Sequence, residues 1–269
     1  MPPPIRVALV TGSSSGIGQA CCERLSRRGW RVYGGSRTAP AGTAWPQLTI
    51  DVRQDGAMEA AVGQIVDREG RLDALVHCAG ASLAGSIEDT TLEEAKGLFE
   101  TNYFGTVRAV RAVLPAMRAA KAGRIVIIGS IAGRIGLPFL GHYSASKFAA
   151  EGFVEALRLE IAPFGIEATL VHPGDTKTAI VAHETRGQAT GATSVYLSAF
   201  ATVSKIYAAN IEKGMPPDQV AKAVAAILDK ARPPVTALVG KPAETAAVAL
   251  KARLPSRWFA FVVRKACGL

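Results

Sequence analysis

The stretch Thr11-Gly12-Ser13-Ser14-Ser15-Gly16-Ile17-Gly18 decides the fold. Before it, Ile5–Val10 is an apolar run of strand character; after it, Ile17–Arg28 repeats with helical period. A glycine-rich turn between strand and helix is the setting in which backbone N–H groups at a helix start meet a bound anion such as a pyrophosphate. Gly12 permits the tight turn, Gly16 the close approach of the backbone, and Gly18 the packing of helix on strand. Ser14, Ser15 and Ile17 complete the candidate binding loop. Without a ligand the same residues would make an ordinary βα turn.

Working outward, short β-branched runs alternate with longer helical patterns. Strands are expected at Arg31–Ser36, Gln47–Ile50, Leu72–Cys78, Arg124–Gly129, Ile166–His172 and Val235–Val239. Helices are expected at Ala57–Glu69, Leu92–Ala120 (interrupted at Pro115) and His142–Ala162. The strands are apolar throughout, as they are when both faces are covered. The expectation is a single α/β domain over residues 1–269, with a doubly wound seven-stranded parallel sheet and helices on both faces. No repeat or low-complexity linker divides it. A long irregular stretch, about 176–214, follows a strand end and is expected to be a substrate lid, or else a surface insertion. A helical extension is expected at about 243–269.

Of the 269 residues, 49% are hydrophobic, enough for a sizeable core, and only 6% are aromatic. No run approaches the roughly 18 apolar residues of a membrane span, and the first residues lack a signal-peptide pattern. Cys21, Cys22, Cys78 and Cys267 have no metal or redox spacing, so reduced thiols, a cytoplasmic location and no metal are expected. The net charge is +9. No acid follows Glu244, whereas Lys251, Arg253, Arg257, Arg264 and Lys265 do. No nucleic-acid motif accompanies this excess, and no nucleic-acid partner is expected.

Chemistry is concentrated in Tyr143-Ser144-Ala145-Ser146-Lys147. Residues at i and i+4 share a helix face, so the phenol and the ammonium project together. A nearby cation favours the phenolate, which makes Tyr143 a candidate acid/base. Ser130 ends an expected strand and offers a hydroxyl to a substrate oxygen. Asn102, in mid-helix, needs a reason to be there. Taken singly, each has a plainer reading: an amphipathic face, a cap, a kink.

Together these residues resemble the short-chain dehydrogenase/reductase family, from about Val7 to Thr178 and again in the last strand. The resemblance implies a Rossmann-type fold and hydride transfer between a nicotinamide cofactor and a carbonyl or secondary alcohol. It implies catalytic roles for Asn102, Ser130, Tyr143 and Lys147, with Asn102 holding a water in a proton relay. It also implies cofactor contacts from Asp51 and Val52 at the adenine, from Ala79 and Gly80, from Asn102, Tyr143 and Lys147, and from Pro173, Gly174, Thr176 and Thr178 around the nicotinamide. Ser36 stands where an acid would bind ribose hydroxyls, and Arg37 follows it; this pair suits a 2′-phosphate and hence NADP(H). One departure is His77-Cys78 in place of the usual pair of asparagines, which puts hydrogen bonding at the sheet edge in question. Neither His77 nor His142 is required by the chemistry.

Apolar residues in the lid (Ile180, Val181, Val195, Tyr196, Leu197, Phe200, Ile206) and before the tyrosine (Leu137, Pro138, Phe139, Leu140) suggest a lipophilic ketone, aldehyde or alcohol. The chain is most similar to the retinol and hydroxysteroid dehydrogenase branch. Two other functions stay open. One is a 3-ketoacyl-thioester reductase, with Arg108 and Arg111 receiving an acidic carrier; the other is a non-catalytic NADPH-binding regulator. The segment Leu254–Leu269 is basic and amphipathic, suited to peripheral membrane contact or to capping a core or subunit interface. By resemblance, a homodimer or homotetramer is expected.

Overall fold

In a computed structural model, the structure describes residues 5–38, 40, 42–178, 185–187, 191 and 193–269. The elements run β1 (Val7–Thr11), α1 (Gly16–Arg27), β2 (Arg31–Ser36), β3 (Gln47–Thr49), α2 (Ala57–Glu69), β4 (Ala74–His77), β5 (Leu83–Ala84), α3 (Leu92–Phe99), α4 (Gly105–Ala119) and β6 (Gly123–Ile128). There follow α5 (Gly141–Ile161), β7 (Ile166–Pro173), β8 (Thr185–Arg186), α6 (Leu197–Glu212), α7 (Pro217–Leu228), β9 (Thr236–Val239), α8 (Pro242–Lys251) and α9 (Ser256–Ala266).

The main sheet has seven strands in the order β3-β2-β1-β4-β6-β7-β9, every pairing parallel. Alternation along β1 sets its two faces. Val7 and Leu9 pack with α2, α4 and α5, whereas Ala8 and Val10 pack with α1 and α7. The sheet is therefore buried on both sides, as the apolar strands require. The chain runs outward from β1 through β2 to β3 and then returns to β4 on the other side of β1. That reversal opens a crevice at the carboxyl ends of β1 and β4, where ligands bind in such sheets.

Two expectations are corrected, and one helix is added. The long helix from Leu92 to Ala120 is not interrupted at Pro115, which lies inside α4; the interruption is a π-helical turn at Glu100–Phe104. The extra residue in that turn aims Asn102 inward, where three hydrogen bonds hold it. The stretch 176–214 is not irregular throughout. It contains β8, paired with β5, and the 16-residue α6, whose Phe200 and Val203 face inward at helical spacing. Ile180 and Val181 lie outside the described residues. The added helix, α7, follows Pro216 and packs Val220, Ala221, Val224 and Ala225 onto the sheet through a helical stripe. The region expected as an extension forms α8 and α9.

Candidate active site

The turn after β1 is bent by Gly12 and Gly16, both in the left-handed region at φ 66° and 55°. A β-carbon on Gly12 would stand 2.7 Å from the backbone nitrogen of Ala79, so the turn lies flush against the segment after β4. At Gly18 a β-carbon would overlap the Gly12 carbonyl oxygen. A β-carbon on Gly16 would meet the Thr178 methyl group at 3.1 Å, placing the turn beside the segment after β7. Ser15 caps α1 in extended conformation without a side-chain hydrogen bond to the helix. The first-turn N–H groups therefore have no side-chain cap, as an anion site requires. An open depression of about 730 Å³ runs from Ser15 and Gly16 to Lys177 and Thr178.

The segment after β4 carries the departure from the family pattern. Thr11 Oγ1 and His77 Nδ1 are hydrogen-bonded at 2.9 Å, and Ala79 N donates to Thr11 Oγ1 at 3.3 Å. His77 thus ties β4 to β1 in the absence of an asparagine. Burial, reinforced by the Lys147 charge, holds its pKa down to about 3.

Tyr143 and Lys147 are one turn apart on α5, with the ammonium nitrogen 5.8 Å from the phenol ring centroid. Lys147 is only 7% exposed and donates to Ile128 O at 3.2 Å. Burial brings its pKa down to about 8. Asn102 is buried beside it. Its Nδ2 donates to Ala81 O and to Ser146 Oγ, both at 3.0 Å, and its Oδ1 accepts from Ala81 N at 2.8 Å. A β-carbon at Gly80 would approach Asn102 Oδ1 to 3.4 Å and Lys147 Nζ to 3.5 Å, so all three line one space.

Ser130, just past β6, caps a short 3-10 turn by accepting from Ala132 N at 3.1 Å. Gly133 in that turn packs on the backbone of Lys147, whose carbonyl oxygen lies 2.8 Å from where the Gly133 β-carbon would be, and so seats Ser130 against α5. His172 Nδ1 donates to Ser130 O at 2.8 Å and fixes the strand end from behind; burial depresses its pKa.

The remaining candidates stand along the same carboxyl edge. Ser36 closes β2, with Arg37 exposed next to it; Ile50 N donates to Ser36 O at 2.9 Å and brings Asp51 alongside. Asp51 is gripped by Arg53, at 2.9 and 2.6 Å, which together with Arg37 holds its carboxyl down to about 2. Val52 is buried against Gly105, at the start of α4. Pro173 ends β7, and Gly174 N donates to Val239 O at 2.9 Å. Thr176 turns back to Gly174 O at 2.9 Å. The strand ends thus bring the expected residues to one rim, with Arg37 and Asp51 at its far side.

Two contributors were not singled out from the sequence. Ser146 links Asn102 to the backbone of Tyr143, since its Oγ also donates to Tyr143 O at 2.7 Å. Its signal was its place within the Tyr–Lys turn. Glu244, at the start of α8, accepts from Asp175 N at 3.2 Å and from Lys241 N at 2.8 Å, pinning the segment after β7. Burial and the Glu244 charge push the Asp175 carboxyl up to about 6. No local pattern announces a contact between segments this far apart.

The residues fit a dinucleotide. The glycine turn is a cradle that β-carbons would fill, it opens at an uncapped helix start, and it faces the crevice where the strand order reverses. Comparison with known proteins agrees. A sequence model of the short chain dehydrogenase family matches residues 6–189. The chain is 36% identical to a 3-ketodihydrosphingosine reductase of Bacteroides thetaiotaomicron, over 96% of this chain and 97% of that one. It is 32% identical to retinol dehydrogenase 8 of Bos taurus, over 93% and 86% respectively. The crystal structure of a short-chain dehydrogenase from Streptomyces avermitilis superposes with a TM-score of 0.81 at 29% identity, covering 97% of this chain and 98% of that one. Sequence, sheet and site concur, and the chain belongs to the short-chain dehydrogenase family of oxidoreductases.

Proposed function

We propose that this oxidoreductase works with NADP(H) on a lipophilic ketone or secondary alcohol, and that Tyr143 is its acid/base. The observation that carries the reading is the placement of Tyr143 and Lys147 one turn apart, with the buried ammonium beside the phenol ring and Ser130 seated against the same helix.

A nicotinamide cofactor held there would supply or accept the hydride. In the direction of reduction, Tyr143 gives its phenolic proton to the carbonyl oxygen, and Lys147 stabilises the negative charge left on the phenol. The Ser130 hydroxyl hydrogen-bonds the same substrate oxygen and offsets charge as it develops there. Asn102 holds the helix geometry through Ser146 and, by family resemblance, a water that returns the proton through Lys147. The turn Gly12–Gly18, with Ser14, Ser15, Gly16 and Ile17, would hold the pyrophosphate. Asp51 and Val52 would meet the adenine; Ala79, Gly80, Pro173, Gly174, Thr176 and Thr178 would meet the nicotinamide half.

NADP(H) is supported by the end of β2, where Ser36 stands in place of a ribose-binding acid and Arg37 presents an exposed guanidinium. The lipophilic substrate is supported by the loop before Tyr143. Phe139 sits at φ 59°, edge-on to Phe200 of α6 with ring centroids 5.6 Å apart, and Tyr207 OH donates to Pro138 O at 3.2 Å. An apolar loop and α6 thus pack together just before Tyr143. The near full-length similarity to a 3-ketodihydrosphingosine reductase supports the same class. A carrier-linked substrate has less support, because Arg108 is already paired with Asp55 and Glu100.

The test is Tyr143→Phe, assayed by NADPH absorbance against a panel of long-chain ketones. Cofactor binding should persist and turnover should fall by about 10³-fold or more. Near-normal turnover would overturn the role of Tyr143. Arg37→Asp should move preference toward NADH, and an unchanged ratio would remove the support for NADP(H).

A further inference from the structure

We propose that the outer face of α9 is a docking surface for an anionic lipid bilayer. The helix turns Phe259 and Val263 inward, onto Ile135 and Val248, and leaves Trp258, Phe261 and Val262 exposed at 64%, 54% and 42%. Three large apolar side chains on one exposed arc of an 11-residue helix are not scattered surface residues. Arg257, Arg264 and Lys265 share that arc, and all three are exposed. Lys265 lies over the Phe261 ring at 5.8 Å.

Charge complementarity selects the occupant. From Thr245 to Leu269 the sequence has five cations (Lys251, Arg253, Arg257, Arg264, Lys265) and no acid. A second copy of this chain would set this face against its own like charges, whereas an anionic headgroup layer neutralises them. Tryptophan and phenylalanine between cations suit the boundary of headgroup and acyl chain, where rings bury and charges stay wet. An 11-residue helix lies on the membrane rather than through it, since spanning takes about 20 residues.

The location gives the surface a use. The end of α9 packs beside α6: Gly268 lies against Thr202 and Ile206, and the Cys267 thiol and Tyr207 hydroxyl are 3.5 Å apart. Tyr207 in turn bonds Pro138, in the loop that precedes Tyr143. A bilayer on α9 would therefore lie near the loop that leads into Tyr143, giving a lipid substrate a short path to the site. That last step rests on the function proposed above. The docking itself does not, and vesicle binding needs no turnover, so the two readings fail separately.

The experiment is co-sedimentation of the full chain with vesicles of phosphatidylcholine alone and of phosphatidylcholine with phosphatidylglycerol. Binding is expected only to the anionic vesicles and should weaken with salt. Each cation near such a surface contributes about fivefold in partitioning, so Arg257→Ala/Arg264→Ala/Lys265→Ala should reduce binding on the order of 100-fold. Trp258→Ser/Phe261→Ser should reduce it as well. All five side chains are exposed, so both variants should keep the wild-type melting temperature. No binding by the wild type, or equal binding by the variants, overturns the proposal. So does light scattering that shows a dimer held by Trp258 and Phe261 and indifferent to vesicles.

Discussion

Asn102 and Ser146, 44 positions apart, are hydrogen-bonded at 3.0 Å, and Ser146 passes the link to the carbonyl of Tyr143 at 2.7 Å. The π-helical turn between α3 and α4 is what brings Asn102 to this point. The same amide clamps both backbone groups of Ala81, so the asparagine joins the segment after β4 to α5.

Ser146→Ala should therefore act on geometry rather than on the fold. It removes two neutral hydrogen bonds, about 1–2 kcal/mol in all, and should lower turnover about tenfold with little change in cofactor affinity. Asn102→Ala strands the half-buried Ala81 groups as well and should cost about 2–4 kcal/mol. Thermal melts and steady-state kinetics on both variants check the pair; equal effects of the two would contradict the clamp.

Lys147→Met should separate stability from activity. The buried ammonium has its pKa brought down to about 8. Keeping it charged at pH 7 opposes folding by about 3 kcal/mol. Removing it should raise the melting temperature by several degrees while turnover falls by about 10³-fold. For the wild type, a folded pKa below the unfolded one means that the unfolded chain holds more protons between about 8 and 10.5, so this residue makes stability rise with pH in that window. A lower melting temperature in the variant would show that the lysine supports the fold.

His77 predicts sensitivity to acid. Its pKa is depressed to about 3 from 6.5, so the imidazole stays neutral in the folded chain and takes up a proton only on unfolding. Its stabilising contribution is complete above pH 6.5 and is lost progressively as pH falls toward 3. His77→Asn keeps a polar partner for Thr11 and should flatten the decline in stability between pH 6 and 4. Urea melts across that range measure it, and an unchanged slope would assign the acid response elsewhere.

Asp175 predicts the opposite sign. Burial and the Glu244 charge raise its folded pKa to about 6 from 3.8, so its contribution is full below 3.8 and lost as pH rises through 6. Asp175→Asn should gain about 1 kcal/mol at pH 8, after allowance for solvent screening, or about 2–4 °C, and little at pH 4. An equal gain at both pH values would rule out the carboxylate charge as its source.

What the amino-acid sequence determined by itself was everything encoded in local spacing. The glycines at 12, 16 and 18 require a turn, the apolar runs require covered strands, and i to i+4 puts Tyr143 and Lys147 on one helix face. From these the parallel sheet, its seven strands and most of the candidate site residues were legible, whereas α6, α7 and the π-helical turn were not. What tertiary structure decided were the contacts between distant segments. His77 substitutes for an asparagine because it reaches Thr11, 66 positions away; Ser146 matters because a π turn delivers Asn102; and Glu244 steadies Asp175 from 69 positions on. The face of α9 is of the same kind. Periodicity placed Trp258, Phe259, Val262 and Val263 together on one side, and only packing on Ile135 and Val248 turned Phe259 and Val263 in and left Trp258 and Val262 out, beside Phe261. Local periods say which residues share a face, whereas what that face meets depends on where the rest of the chain folds back.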